Sequence, residues 1–245
     1  DLQSLINNKD VKAVFFARGG YGSVRILDKL DLSPLNAAPK WFVGYSDVTA
    51  LLLHIYYNVS LASLHAIMPV NIVPDSENAP CVTAMLDTLA GKPLSFTCES
   101  AFQSDDAEVE GEIIGGNLSV ICSLLSSNSF CETENKILFI EDLDEYLYHV
   151  DRMMQALKRA GKLHGLRALV VGSMSGMHDN AIPFGSSAYE IIASAVAEYP
   201  YPKFFGLEIG HEPGKNYPVI IGGEVKISRK NGKITLWQNL KAQNR

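Results

Sequence analysis

The sequence predicts an α/β protein built on a doubly wound sheet, and three observations carry the prediction. Short apolar runs such as Ala13-Val14-Phe15-Phe16-Ala17 and Ile137-Leu138-Phe139-Ile140 alternate with segments of helical periodicity. Runs of that length between helices mark parallel strands buried on both faces. Glycine turns at 19–22 and 44–46 stand directly behind the first two strands, at the carboxyl ends where such sheets bind ligands. Finally, 245 residues at 47% hydrophobic and 20% charged are enough to bury one large core or two modest ones.

In order, the chain reads as a helix at 2–7, a strand at 13–17, a helix at 24–30, a strand at 41–45 and a helix at 47–58. The pattern then weakens. Pro69, Pro74, Pro80 and Pro93 interrupt it, only a short helix at 82–89 stands out, and Ser104-Asp105-Asp106 is polar. This composition predicts a first domain over 1–75, a linker over 76–106 and a second domain over 107–245. The second domain reads as strand 109–114, helix 118–126, strand 137–140, helix 146–160, strand 168–171, helix 186–198 and strand 204–209. The long helix places Leu147, Val150, Met153, Met154 and Leu157 on one side, with charge opposite. Two β segments, 226–229 and 234–237, flank Asn231-Gly232 as a hairpin.

A net charge of −6 without a dense basic run argues against nucleic acid as a partner. No apolar run reaches the ~18–20 residues of a membrane span. Cys81, Cys98, Cys122 and Cys131 form no CxxC pair and are expected as buried free thiols, with no structural metal. The chain starts at Asp1, in what reads as the back half of a helix.

The candidate chemistry begins at Gly44-Tyr45-Ser46-Asp47, where a strand turns at once into an apolar helix. Ser46 there has two readings: an N-cap whose oxygen accepts from the first helical turn, or a nucleophile exposed on a sharp turn with the following N–H groups facing an oxyanion. Arg18-Gly-Gly-Tyr-Gly22 matches neither phosphate-loop nor dinucleotide spacing. It is either a plain tight turn or a close-approach loop lending a backbone N–H to the Ser46 turn.

A serine nucleophile needs a base. His54 and His149 lie inside helices, His65 and His164 lack supporting residues, and His178 follows a strand in Met177-His178-Asp179-Asn180. His211, closing Gly206-Leu207-Glu208-Ile209-Gly210 before Glu212-Pro213-Gly214, is the preferred base, because site residues gather in loops at strand ends. A carboxylate to fix the imidazole could come from Glu141, Asp142, Asp144 or Glu145 behind the 137–140 strand. The same acids could instead be a solvated turn, a helix cap or a hard-cation site. Gly172-Ser-Met-Ser-Gly176 has its serines in the wrong positions for a nucleophile elbow.

Taken together and in this order, ARGGYG with GYSD, IEDLDE and GLEIGH resemble the LD-carboxypeptidases, the serine peptidases that include muramoyltetrapeptide carboxypeptidase and the microcin self-immunity peptidases. GEIIGGNLSVICSLL at 111–125 and DRMMQALKRAGKL at 151–163 extend the resemblance over essentially the whole chain. It implies an N-terminal flavodoxin-like (class I glutamine amidotransferase-like) parallel-sheet domain and a C-terminal swivelling β/β/α domain. It also implies a Ser46–Glu141–His211 triad, with an oxyanion hole at the N–H groups of Gly20 and Asp47, and no cofactor or metal. The substrate implied is murein tetrapeptide or a related muropeptide, whose terminal D-alanine is released in peptidoglycan recycling, by a cytoplasmic homodimer. Arg18, or N–H groups at Gly116 and Asn117, are candidates for holding the substrate carboxylate. The alternatives are a microcin-type peptidase, for which Trp41 and Trp237 would have to supply a nucleotide platform, and a non-catalytic muropeptide binder. Compared with the family pattern, the first strand and helix of the nucleophile domain are expected to be missing.

Overall fold

The computed structural model describes residues 1–74, 76–102 and 105–239. The first stretch runs α1 (Leu2–Asn7), β1 (Ala13–Phe15), β2 (Trp41–Gly44), α2 (Thr49–Val59) and β3 (Ser63–His65). Buried Lys40 donates to the carbonyls of Leu5, Ile6 and Asn8 at 2.8–2.9 Å, satisfying the open end of α1. The helix expected at 24–30 is instead two 3-10 turns, Ser23–Arg25 and Leu27–Lys29. Only Leu27 in it is buried, so no apolar stripe supports a longer helix. Along α2 every residue from Thr49 to Ile55 is buried. The helix packs on β3 on one side and on elements of the second sheet on the other.

The segment 76–106 is more than a connector. It holds α3 (Ala79–Leu89) and β4 (Leu94–Glu99), in which Leu94, Phe96 and Cys98 point inward and Ser95, Thr97 and Glu99 outward. Ser104 of the expected linker lies outside the described residues. Then follow β5 (Ala107–Asn117), α4 (Leu118–Ser123), β6 (Ile137–Leu143), α5 (Leu147–Arg159), β7 (Ala168–Ser175), α6 (Ala188–Ala195) and β8 (Lys203–Phe205). The strand expected to reach 209 stops at Phe205 because Gly206 turns the backbone to φ 89°. Last come β9 (Val219–Ile221), β10 (Gly223–Lys230) and β11 (Lys233–Gln238). As expected, β10 and β11 form a hairpin, with Asn231 and Gly232 both at positive φ, 51° and 77°.

Two mixed sheets result. One has the order β1-β2-β3-β9, with β9 antiparallel to β3. The other has the order β4-β11-β10-β5-β6-β7-β8, parallel from β5 to β8 and antiparallel elsewhere. The parallel strands β6 and β7 are buried at nearly every position, whereas the antiparallel β10 and β11 alternate, as each environment demands. Strand β9 belongs to the first sheet although it arrives near the chain's end. Gly222, at φ 79°, passes the backbone directly from β9 into β10 of the other sheet. The side chain of Gln238 on β11 stitches the two together, accepting from Ile220 N and donating to Ile220 O. Residues of both sheets share one hydrophobic core. All four cysteines are free; Cys81 and Cys98 are buried, but Cys131 is exposed, contrary to expectation.

Candidate active site

The Ser46 turn leaves β2 with almost no slack. Ser46 sits at φ 62°, a left-handed conformation uncommon for a residue bearing a Cβ. It opens a 3-10 turn, Ser46–Val48, that runs straight into α2, and no side chain caps either element. The N-cap reading of Ser46 therefore fails. The strain instead lifts a hydroxyl free of local capping duty.

Against this hydroxyl lies the glycine loop. A Cβ on Gly19 would stand 3.0 Å from Ser46 Cβ and 3.1 Å from its Oγ, so the loop needs glycine to approach so closely. Gly20 and Gly22 follow at φ 137° and 118°. The carboxylate of Asp47 fastens the loop by accepting from Ser23 N at 3.0 Å and Ser23 Oγ at 2.7 Å. Among the described residues, the backbone hydrogen bonds engage neither Gly20 N–H nor Asp47 N–H. Arg18 is exposed on the same loop.

Glu141 and His211 meet on the second sheet. Glu141 is fully buried near the end of β6, and its Oε2 lies 2.7 Å from His211 Nδ1. Pairing between β6 and β7 slips past Ile140, where Gly172 and Ser173 of β7 oppose the single residue Glu141 of β6 in a bulge. Ser173 Oγ accepts from the N–H of His211 at 3.1 Å, and Ser173 N donates to Ile209 O at 2.8 Å. Burial works against a charged His211, but the hydrogen bond and charge of Glu141, with help from Asp142, outweigh it, and its pKa rises above the ordinary value. The His211 ring packs on Tyr45, with centroids 4.7 Å apart. Tyr45 is the residue before Ser46, so the structure brings the histidine to the serine's turn.

Asp142 is buried too. It accepts from Asn117 Nδ2, Ser119 N and Leu143 N at 2.8–2.9 Å. These donors favour the carboxylate, but burial, followed by the charge of Glu141, prevails and pushes its pKa up to about 7. Asn117 also caps α4 by accepting from Val120 N, while its own N–H donates to Thr49 Oγ1 at 3.1 Å. Gly116 is pressed against the Thr49 side chain. The N–H of Asn117 is thus engaged by Thr49 within the fold.

The other histidines divide as their surroundings dictate. His54 bonds Ser129 Oγ and His149 bonds Glu145, both as structural partners. His178 pairs with Asp144 at 2.5 Å on the surface. His65, unsupported in sequence, proves fully buried beside Tyr45 and Phe139. Burial, then the proximity of His211, lowers its pKa to about 3, so it stays neutral. Among the described residues no group of His, Cys, Asp or Glu comes together that could hold a metal ion, and no helix is long and apolar enough to cross a membrane.

Comparison with known proteins identifies the class to which this two-sheet fold belongs. The LD-carboxypeptidase N-terminal domain model matches residues 1–66 and the C-terminal domain model residues 110–227. The chain belongs to the LD-carboxypeptidase family. It is 32% identical over 218 residues to the probable murein peptide carboxypeptidase of Bacillus subtilis, covering 86% of this chain and 67% of that one. The crystal structure of muramoyltetrapeptide carboxypeptidase from Oxalobacter formigenes superposes with a TM-score of 0.87 at 28% identity, over 97% of this chain and 82% of that one. MccF in complex with glutamyl sulfamoyl guanosine shares the fold at a TM-score of 0.84 and 23% identity, over 97% and 79%.

Proposed function

We propose that this protein is a serine carboxypeptidase that cleaves the L,D-peptide bond of murein tetrapeptide and releases its terminal D-alanine. The observation that carries the reading is the Glu141–His211 pair packed on Tyr45, next to the uncapped, strained Ser46. The relatives named for murein peptides and muramoyltetrapeptide support the substrate class.

With Nδ1–H donating to Glu141, the neutral tautomer leaves Nε2 of His211 as the base. Ser46 Oγ attacks the carbonyl carbon between the L-centre of the third residue and D-alanine, and its proton passes to Nε2. The N–H groups of Gly20 and Asp47 receive the oxyanion. The imidazolium then protonates the departing amine, free D-alanine leaves, and a tripeptidyl ester remains on Ser46. Water, deprotonated by His211, hydrolyses that ester and restores the serine. Glu141 stays ionised, holding the tautomer and balancing the imidazolium. Arg18, exposed at the glycine loop, binds the terminal carboxylate of the substrate. The reading includes a cytoplasmic role in peptidoglycan recycling and action as a homodimer.

The test is release of D-alanine from L-Ala-γ-D-Glu-meso-diaminopimelate-D-Ala, followed by mass spectrometry beside Ser46→Ala. Release by the wild type and none by the variant supports the proposal. A folded wild type that releases nothing rejects this substrate. Turnover of an aminoacyl sulfamoyl nucleotide instead would assign the microcin-type activity, and silence toward both a binding role.

A further inference from the structure

Ser46 and the Glu141–His211 pair stand on different sheets, so catalysis depends on how the sheets are registered. Beside the Tyr45–His211 ring contact, one short path of hydrogen bonds connects them. The N–H of Thr49 donates back to the carbonyls of Ser46 and Asp47, tying the first residue of α2 to the strained turn. Its side chain faces the other way, where Thr49 Oγ1 accepts from Asn117 N at 3.1 Å. Asn117 is the β5 residue paired in register with Glu141 on β6, and its side chain donates to Asp142. Thr49 is fully buried, and no bulk separates it from β5: a Cβ on Gly116 would lie 2.6 Å from both Oγ1 and Cγ2 of Thr49. Gly116 is at φ 144°, which brings the strand backbone itself to the threonine.

We infer that Thr49 is a positioning residue that locks the Ser46 turn of one sheet to the Glu141 strand of the other. Its hydroxyl accepts the N–H of the residue beside Glu141, and its backbone N–H holds the carbonyl of Ser46. Neither group reaches the reacting atoms; the junction fixes where the serine stands relative to the base. A displacement of about 1 Å at such a site can cost on the order of a hundredfold in rate.

The inference rests on Ser46 and His211 acting together as proposed above, and the test separates the two. Thr49→Val keeps the shape and removes the acceptor, Thr49→Ser restores the hydroxyl, and Gly116→Ala pries the junction apart. Thr88→Val is the control, because Thr88 is equally buried but its hydroxyl donates within α3, to Ala84 O. For each, kcat and KM for D-alanine release, the rate of Ser46 labelling by a fluorophosphonate, and Tm are measured. Thr49→Val and Gly116→Ala are expected to lower kcat and labelling roughly tenfold or more with KM within about threefold. Thr49→Ser should recover most of the rate, and Thr88→Val should lower Tm without slowing labelling. If Gly116→Ala does not fold, the valine and serine pair decides. An active wild type with Thr49→Val equally fast, or slowed only as much as Thr88→Val for the same loss of Tm, overturns the inference alone. A silent, unlabelled wild type overturns the functional reading and the inference with it.

Discussion

Nδ1 of His211 sits 2.7 Å from Oε2 of a fully buried Glu141, across 70 residues of sequence. Because the pair raises the histidine pKa and the proposed mechanism needs the neutral ring, activity should fall as pH drops through a value above the ordinary ~6.5. Glu141→Gln removes the charge that raises the pKa and leaves the burial that lowers it. The acid limb of kcat/KM should therefore move to lower pH, while kcat drops by about 10³–10⁴. For stability the sign is opposite: the paired imidazolium contributes fully below ~6.5 and its contribution fades as pH rises through the folded-state value. A pH profile from 5 to 9 for both proteins checks this, and an unmoved acid limb would contradict it.

Asp47 holds Ser23 by two hydrogen bonds, and through it the glycine loop. Asp47→Ala should slow fluorophosphonate labelling of Ser46 roughly 10–100-fold, because the glycine loop proposed to supply Gly20 N–H is no longer fastened by Asp47. Ser23→Ala retains the backbone bond and should have a smaller effect. Equal labelling rates in all three proteins would remove Asp47 from the machinery.

Asp142, with a pKa raised to about 7 from 3.8, binds a proton in the folded state that the unfolded chain releases. Its stabilising contribution is complete below about pH 4 and is lost as pH climbs toward 7. Asp142→Asn should flatten the decline in unfolding free energy over that window, by up to ~1.4 kcal/mol per pH unit. Urea melts at pH 4.5, 5.5, 6.5 and 7.5 give the two slopes, and identical slopes would show that Asp142 ionises normally.

Gly210 turns the chain into His211 at φ 135°, and an added Cβ would lie 2.2 Å from Ser173 Oγ and 3.0 Å from Glu141 Oε2. Gly210→Ala should cost on the order of 2–4 kcal/mol and most of the activity. Gly232→Ala has a positive φ but nothing within 4 Å, so only backbone strain of about 1–2 kcal/mol applies. Comparable losses in thermal denaturation of the two variants would count against the crowding argument.

The fold class was legible wherever burial wrote a long signal. The runs at Ile137 and Ala168, the amphipathic α5 and the Asn-Gly hairpin all form where periodicity and turn chemistry place them. What escaped is short or depends on distant partners. β3 and β9 have three residues each and exist because they pair with each other, β3 also with β2. β4 carried a clean alternation that the surrounding prolines masked. At the site, local sequence left Ser46 between cap and nucleophile; only the backbone angle, set by the packing of β2, α2 and the glycine loop, removes the cap. Nothing local marks His65 or Thr49, whose surroundings come from the opposite side of the fold.

Strand β9 also bears on how the molecule is made. It pairs with β3 at one edge of the sheet that leads into Ser46, yet it begins only after His211 in the sequence. During synthesis, at about 5–20 residues per second, β3 waits with an open edge for on the order of ten seconds or more before its partner is translated. An interrupted chain lacking β9 would carry an unprotected strand edge, a known route to aggregation. Where translation stops before His211, that chain would also lack the proposed base, so the proposed activity could arise only at about the stage when β9 becomes available to pair with β3.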